Sequence, residues 1–208
     1  MNKKFPHKKY SKFKDYFNDY FLDFDRSLKK IDVNQISKIT QFLEKNYKSK
    51  NTIYVCGNGG SAAIANHFEC DHKKILSETK KINPRIISLC TNNPLITAIA
   101  NDISYDSIFE KQLQYLAKRK DLLITISSSG DSENIIHAIK YAKKNGIKVI
   151  SFTGFDGGRS RKLCNYSLHV ESFNYGVIEN IHHAYMNILS QYIRNIYLSR
   201  KDVNKNYF

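Results

Sequence analysis

Thr52-Ile53-Tyr54-Val55-Cys56-Gly57-Asn58-Gly59-Gly60-Ser61 is a short apolar run that ends in glycines and passes at once into a helical pattern. An apolar stretch with no alternating polar positions reads as a strand buried on both faces. The same grammar returns in Leu122-Leu-Ile-Thr-Ile-Ser-Ser-Ser-Gly-Asp-Ser132. Further short, partly β-branched runs are Arg85–Cys90 and Lys148–Gly154, with a weaker strand at Tyr166–Val170. Between and after them the spacing predicts helices over Ser61–Ile75, Asp106–Leu116, Ser132–Lys144 and Val177–Leu198. Alternating hydrophobic strands and helices imply an α/β fold, a mostly parallel sheet covered on both faces.

Two helices precede this pattern, Tyr10–Leu28 and Asn34–Asn46. The first carries Phe13, Tyr16, Phe17, Tyr20, Phe21 and Phe24 at spacings of three and four, one apolar stripe that has to cover a sheet or a partner subunit. The organisation is therefore a basic arm and helix over 1–33, one α/β domain over 34–198, and a C-terminal tail over 199–208.

The chain has 208 residues and is 41% hydrophobic and 12% aromatic, which suits a single globular domain and excludes a disordered chain. No apolar run approaches the ~18 residues of a membrane span, and the basic start lacks the apolar core of a secretory signal. Cys56, Cys70, Cys90 and Cys164 form no C-x-x-C pair, which points to reduced thiols and a cytoplasmic location. The net charge of +14 clusters most clearly at Lys3, Lys4, Lys8, Lys9, Lys12 and Lys14. No nucleic-acid-binding motif follows that cluster, so nucleic acid is not the expected partner; attraction of anionic sugar phosphates is.

Ligands of open α/β sheets bind beyond the carboxyl ends of the strands. Asn58, Gly59, Gly60 and Ser61 lie at one such end, where glycines let the backbone approach an anion and a helix start offers unpaired N–H groups. A tight structural turn accounts for the same glycines. Ser127, Ser128, Ser129 and Ser132 lie at another, four hydroxyls converging on one helix start, a pattern that suits phosphate oxygens. Capping by Ser132 alone is the simpler alternative, although one cap needs only one hydroxyl. No lysine and no G-K-[ST] ending is present, so a nucleoside triphosphate is not indicated.

Together with Thr97–Asp102 (TAIAND) and Thr153–Gly158 (TGFDGG), these two loops resemble the sugar isomerase (SIS) domain, and more narrowly the phosphoheptose isomerase family, from about Asn34 to Ile193. The resemblance implies an αβα sandwich around a five-stranded parallel sheet and a homotetramer with sites between subunits. It also implies isomerisation of sedoheptulose 7-phosphate through an enediol. Carried over by position, Asn58, Gly59, Gly60 and Ser61 line the substrate loop, Asn101 and Asp102 contact the sugar, and the four serines hold the phosphate. His67 matches the family's histidine zinc ligand.

Three positions depart from the family. Asp71 stands where the family has a glutamate, Glu179 where it has a glutamine, and Asn187 where it has a histidine that ligates zinc. Asn187 cannot act as an acid or base. Spacing by four places Glu179, His183 and Asn187 on one helix face, and His67 with Asp71 on another. His67, Asp71, Glu179 and His183 are accordingly the expected ligands of one Zn²⁺. Asp71 is the expected base, with a further role in substrate binding alongside Glu179, and His183 is the second proton carrier. The bland alternative makes His182 and His183 surface or interface histidines and pairs Asp71 with Lys74. The alternative function is a non-catalytic phosphosugar-binding regulator, a partner of the replication initiator, or an isomerase of another phosphosugar.

Overall fold

The computed structural model describes residues 4–203; Lys3 of the basic cluster and tail residues 204–208 lie outside them. Helices α1 (Phe13–Lys29) and α2 (Val33–Tyr47) precede β1 (Thr52–Gly57), α3 (Gly60–Ser77) and β2 (Arg85–Ser88). Helix α4 (Asn93–Asp102), a 3-10 turn (Tyr105–Ser107) and α5 (Ile108–Leu116) lead into β3 (Leu122–Ser127) and α6 (Glu133–Lys144). The chain closes with β4 (Lys148–Thr153), α7 (Gly158–Leu163), β5 (Tyr166–His169), α8 (Tyr175–Tyr197) and α9 (Arg200–Val203).

The five strands form one sheet in the order β2-β1-β3-β4-β5, and every pairing is parallel. Residues Leu122–Ser127 of β3, at the centre, are buried throughout, which explains their apolar, non-alternating sequence. On one face α2, α3 and α8 pack Ile39, Leu43, Phe68 and Ile181 against Val55 and Ile124. On the other, α5 and α6 pack Leu113, Ile135 and Ile139 against Tyr54, Leu123 and Val149. This is the expected αβα sandwich.

Three short helices, α4, α7 and α9, go beyond the sequence reading. Helix α4 has a local signal: Asn92 Oδ1 accepts from Leu95 N–H at 3.1 Å, with a proline in the first turn. Tyr10, expected at the start of the first helix, instead precedes it and donates its hydroxyl to Asp19 Oδ2 at 2.7 Å.

The aromatic stripe of α1 is split. Tyr20 and Phe24 pack against the core, while Phe13, Phe17 and Phe21 are 80%, 48% and 51% exposed. The reason is polar. The inner face of α1 also carries buried Asp23 and Ser27; Asp23 Oδ2 accepts from Ser172 Oγ at 2.7 Å, and Ser27 Oγ donates to Glu171 O at 3.1 Å. Those bonds orient the helix and turn part of the aromatic stripe outward.

Candidate functional site

The five strand-to-helix connections fall into two kinds. After the edge strands β2 and β5, Asn92 and Asn174 cap α4 and α8, accepting from Leu95 N–H and Val177 N–H at 3.1 Å each. After β4, Asp156 Oδ1 and Asp131 Oδ1 accept from the Gly158 and Arg159 N–H groups of α7, whereas after the central strands β1 and β3 helices α3 and α6 begin without a side-chain cap. Uncapped first-turn N–H groups and the positive ends of the helix dipoles make such starts receptive to an anion.

The serine loop ends β3. Ser127 is buried and its Oγ accepts from Gly130 N–H at 3.1 Å. Ser128 Oγ is buried with no hydrogen-bond partner among the described residues. Ser129 Oγ accepts weakly from Asp131 N–H at 3.3 Å. Ser132 precedes α6 in extended backbone, and its side chain makes no capping bond. The simple-cap alternative for Ser132 is therefore not what the chain does, and its hydroxyl remains available to a ligand.

This loop is held from three sides. Asn58 and Asn134 exchange side-chain amide hydrogen bonds at 2.9 Å each, tying the Gly57–Ser61 turn to the first turn of α6. Tyr105 donates its hydroxyl to Asn58 Oδ1 at 3.2 Å. Arg159 at the start of α7 donates Nε to Asp131 Oδ1 at 2.8 Å and a terminal nitrogen to Glu133 Oε1 at 2.7 Å, and it bonds the Asp131 carbonyl as well. Those bonds hold both carboxyls below their ordinary range. Gly158 must be glycine here: its φ is +52°, and a Cβ would meet Ser129 O at 2.6 Å. Asn134, Tyr105 and Arg159 are supports the sequence reading missed. The motif TGFDGG flagged the neighbourhood of Arg159, whereas Asn134 and Tyr105 carry no local signal.

Asn101 and Asp102, at the C-terminal end of α4, are exposed and hydrogen-bond each other at 2.8 Å; among the described residues they make no bond to either loop.

Helices α3 and α8 run parallel and share the second part of the site. Glu179 is aligned with Gly60, where a Cβ would meet its Oε2 at 2.5 Å, so its carboxylate lies on the positive N-terminal end of α3. One turn on, His183 Nε2 is 2.6 Å from His67 Nδ1, with the rings edge to face. His67 Nε2 is in turn 3.1 Å from Asp71 Oδ1. Burial, reinforced by the His67 ring, lowers the His183 pKa against an opposing pull from Asp71. Asp71 thus engages His67 rather than Lys74, and His183 is half-buried, not a surface histidine. His182 is fully buried and donates Nε2–H to Thr153 O at 3.2 Å, which makes it structural.

The expected zinc ligands do not fit a metal in this arrangement. His67 directs one nitrogen to His183 and the other to Asp71, a linear chain of contacts rather than donors converging on a point. Glu179 is turned to Gly60 and makes no hydrogen bond or ion pair to the other three. Among the described residues no group of three His, Cys, Asp or Glu side chains is disposed to hold a metal ion. Asn187, half-buried on α8, would offer only an amide.

Residues 17–154 match the SIS domain family. A phosphoheptose isomerase of Aliarcobacter butzleri is 39% identical over 160 residues, 77% of this chain and 84% of that protein. A probable phosphoheptose isomerase of Thermoplasma volcanium is 33% identical over 180 residues, covering 86% and 91%. The solved structure of a phosphoheptose isomerase from Neisseria gonorrhoeae superposes with a TM-score of 0.79 at 28% identity, over 88% of this chain and 96% of that one. The uncapped glycine and serine turns and the α3–α8 pair thus sit in a sandwich shared with these proteins: the chain belongs to the SIS domain family and, within it, to the phosphoheptose isomerases.

Proposed function

We propose that the protein interconverts sedoheptulose 7-phosphate and D-glycero-D-manno-heptose 7-phosphate, an aldose–ketose isomerisation through an enediol. One juxtaposition carries this reading: uncapped helix starts with available serine hydroxyls lie beside a histidine–histidine–aspartate set on the adjoining helix pair. The serine loop binds the phosphate at a distance from the reacting carbons, so binding energy there positions the chemistry at the other end of the sugar. Asn58, Ser61, Asn101, Asp102 and Glu179 supply hydrogen-bonding groups for the sugar hydroxyls. Proton transfer between adjacent carbons needs a group that can take up and return a proton, and the His183–His67–Asp71 set beside the loops offers such groups.

The same reading extends to the assembly. The exposed Phe13, Phe17 and Phe21 and the exposed Asn101 and Asp102 support a homotetramer in which subunits meet over α1 and close the site together. The four free thiols and the substrate class support a cytoplasmic enzyme that supplies heptose for the cell surface.

One observation favours a second reading, a phosphosugar-binding protein without turnover: Asn187 occupies a position at which the family carries a titratable histidine. A single experiment separates the two. Purified protein is incubated with sedoheptulose 7-phosphate and with other ketose and aldose phosphates, and isomers are separated and quantified while binding is followed by calorimetry. Conversion of the heptulose phosphate is expected; saturable binding with no conversion of any sugar overturns the isomerase reading in favour of the second.

A further inference from the structure

Asp131 and Glu133 flank Ser132 in the serine loop, so two carboxylates adjoin the start of α6. Consecutive Cα atoms are about 3.8 Å apart, which puts both within roughly one Debye length, ~8 Å at physiological ionic strength, of an anion held at Ser132. Left free, either carboxylate would repel a phosphate or would itself take the first-turn N–H groups of α6. The second does not happen. Ser132 makes no capping bond, and among the described residues the Glu133 and Asn134 N–H groups have no hydrogen-bond partner. Both carboxylates are claimed instead by Arg159, 28 and 26 residues along the chain on α7. Asp131 Oδ1 accepts from the Arg159 backbone N–H at 3.0 Å and from Nε at 2.8 Å. The two Glu133 oxygens accept from the two terminal nitrogens at 2.7 and 3.2 Å, and the Asp131 carbonyl from one of these at 2.7 Å. All but one of the guanidinium donors are thereby spent on the chain itself.

We propose that Arg159 is a positioning residue for phosphate binding: by neutralising Asp131 and Glu133 and holding them aside, it keeps the start of α6 open to an anion without itself touching the phosphate. The proposal rests on the reading that the serine loop takes the phosphate. Lys162 acts on Asp131 from α7, and His137 and Lys140 act on Glu133 from α6, but among the described residues none of the three forms a hydrogen bond or ion pair with either carboxylate. A staple for stability is the other reading of these bonds. Exposed ion pairs add little to stability, and the Arg159, Asp131 and Glu133 side chains are 43%, 49% and 48% exposed. Backbone bonds already join the two loops: Gly154 N–H donates to Ser128 O at 3.0 Å, and Ser160 N–H to Gly130 O at 2.9 Å. Charge is therefore the contribution particular to the guanidinium.

The test is rescue by removing charge. Binding of sedoheptulose 7-phosphate and of inorganic phosphate is measured by calorimetry, with kcat and KM on the same samples. Arg159→Gln is expected to weaken binding and raise KM by about tenfold at low salt, with kcat changed less than about twofold. That loss should shrink toward about 1 M salt, as screening removes the repulsion. The triple variant Arg159→Gln/Asp131→Asn/Glu133→Gln keeps no ion pair here but also no carboxylate, and is expected to bind within about threefold of wild type. A triple variant as weak as Arg159→Gln overturns the proposal, because neither a staple nor a direct phosphate ligand is replaced by removing its partners. Asp131→Asn/Glu133→Gln beside an intact Arg159 decides the matter even where Arg159→Gln fails to fold: tighter binding than wild type is expected, and unchanged or weaker binding overturns the proposal. Binding weakened by Ser129→Ala/Ser132→Ala but untouched by Arg159→Gln overturns this proposal alone. Binding untouched by both removes the phosphate from the loop, and the proposal falls with that reading. If the binding changes appear as expected in a protein that isomerises no phosphosugar, the role of Arg159 stands and the isomerase reading is what fails.

Discussion

Ser132 precedes α6 without capping it, and Ser128 buries a hydroxyl that meets no partner among the described residues. A buried hydroxyl without a hydrogen bond is costly, which supports the proposal that this loop takes the phosphate. The double variant Ser129→Ala/Ser132→Ala should weaken binding of a sugar phosphate by about 1.5–3 kcal/mol for each charged hydrogen bond lost. Calorimetry with unchanged affinity would remove the phosphate from this loop. The four serines were readable because their density at one helix start exceeds what capping needs. The role of Glu179 was not: helical spacing placed it one turn from His183, but only the α3–α8 register shows its carboxylate resting on Gly60. Asn134 was equally silent, an ordinary helical residue until the fold sets it opposite Asn58.

At the scale of elements, the strands were legible because both faces of the sheet are covered, and a doubly buried strand writes itself as an apolar run. Helix α1 is legible only in part, since a periodic aromatic stripe cannot reveal that Asp23 and Ser27 claim the inner face through bonds to residues about 145 positions away. The β1–α3 junction gives a direct test of its glycine. A Cβ on Gly57 would lie 2.7 Å from both the carbonyl carbon and oxygen of Ser61, which are backbone and cannot swing aside. Gly57→Ala should therefore cost about 1–3 kcal/mol in denaturant unfolding, a typical overpacking penalty; an unchanged midpoint would mean that the turn is looser than described.

The α3–α8 contact also makes a pH prediction. His72 is fully buried between Phe68, which stacks on it at 3.8 Å, and Tyr47, whose hydroxyl donates to Nδ1 at 2.6 Å while Nε2–H donates to Met186 O at 3.1 Å. Burial pushes its pKa down to about 3, and that of buried His182 to about 4. The unfolded chain takes up these protons below about pH 6.5, while the folded one does not until much lower. Stability is thus fully present above about 6.5 and is lost as pH falls toward the folded values. Thermal unfolding across this range should show that decline, and His72→Gln should make it shallower. An equal slope in the variant would assign the acid sensitivity elsewhere.

For the molecule as a whole, the aromatic face of α1 and the exposed Asn101–Asp102 pair point outward from a sandwich whose own core is closed. Light scattering should report four times the 24.2 kDa chain mass, and Phe17→Glu with Phe21→Glu should break that assembly and lower activity together. A monomer at micromolar concentration with full activity would contradict both. The central claim is proton transfer between adjacent carbons of a heptose phosphate, and solvent isotope exchange tests it most directly. Sedoheptulose 7-phosphate is incubated with the enzyme in deuterium oxide and followed by proton NMR. The aldose should appear with deuterium at its second carbon, and recovered ketose should gain deuterium at its hydroxymethyl carbon. Substrate that binds yet returns with neither exchange nor aldose would contradict it.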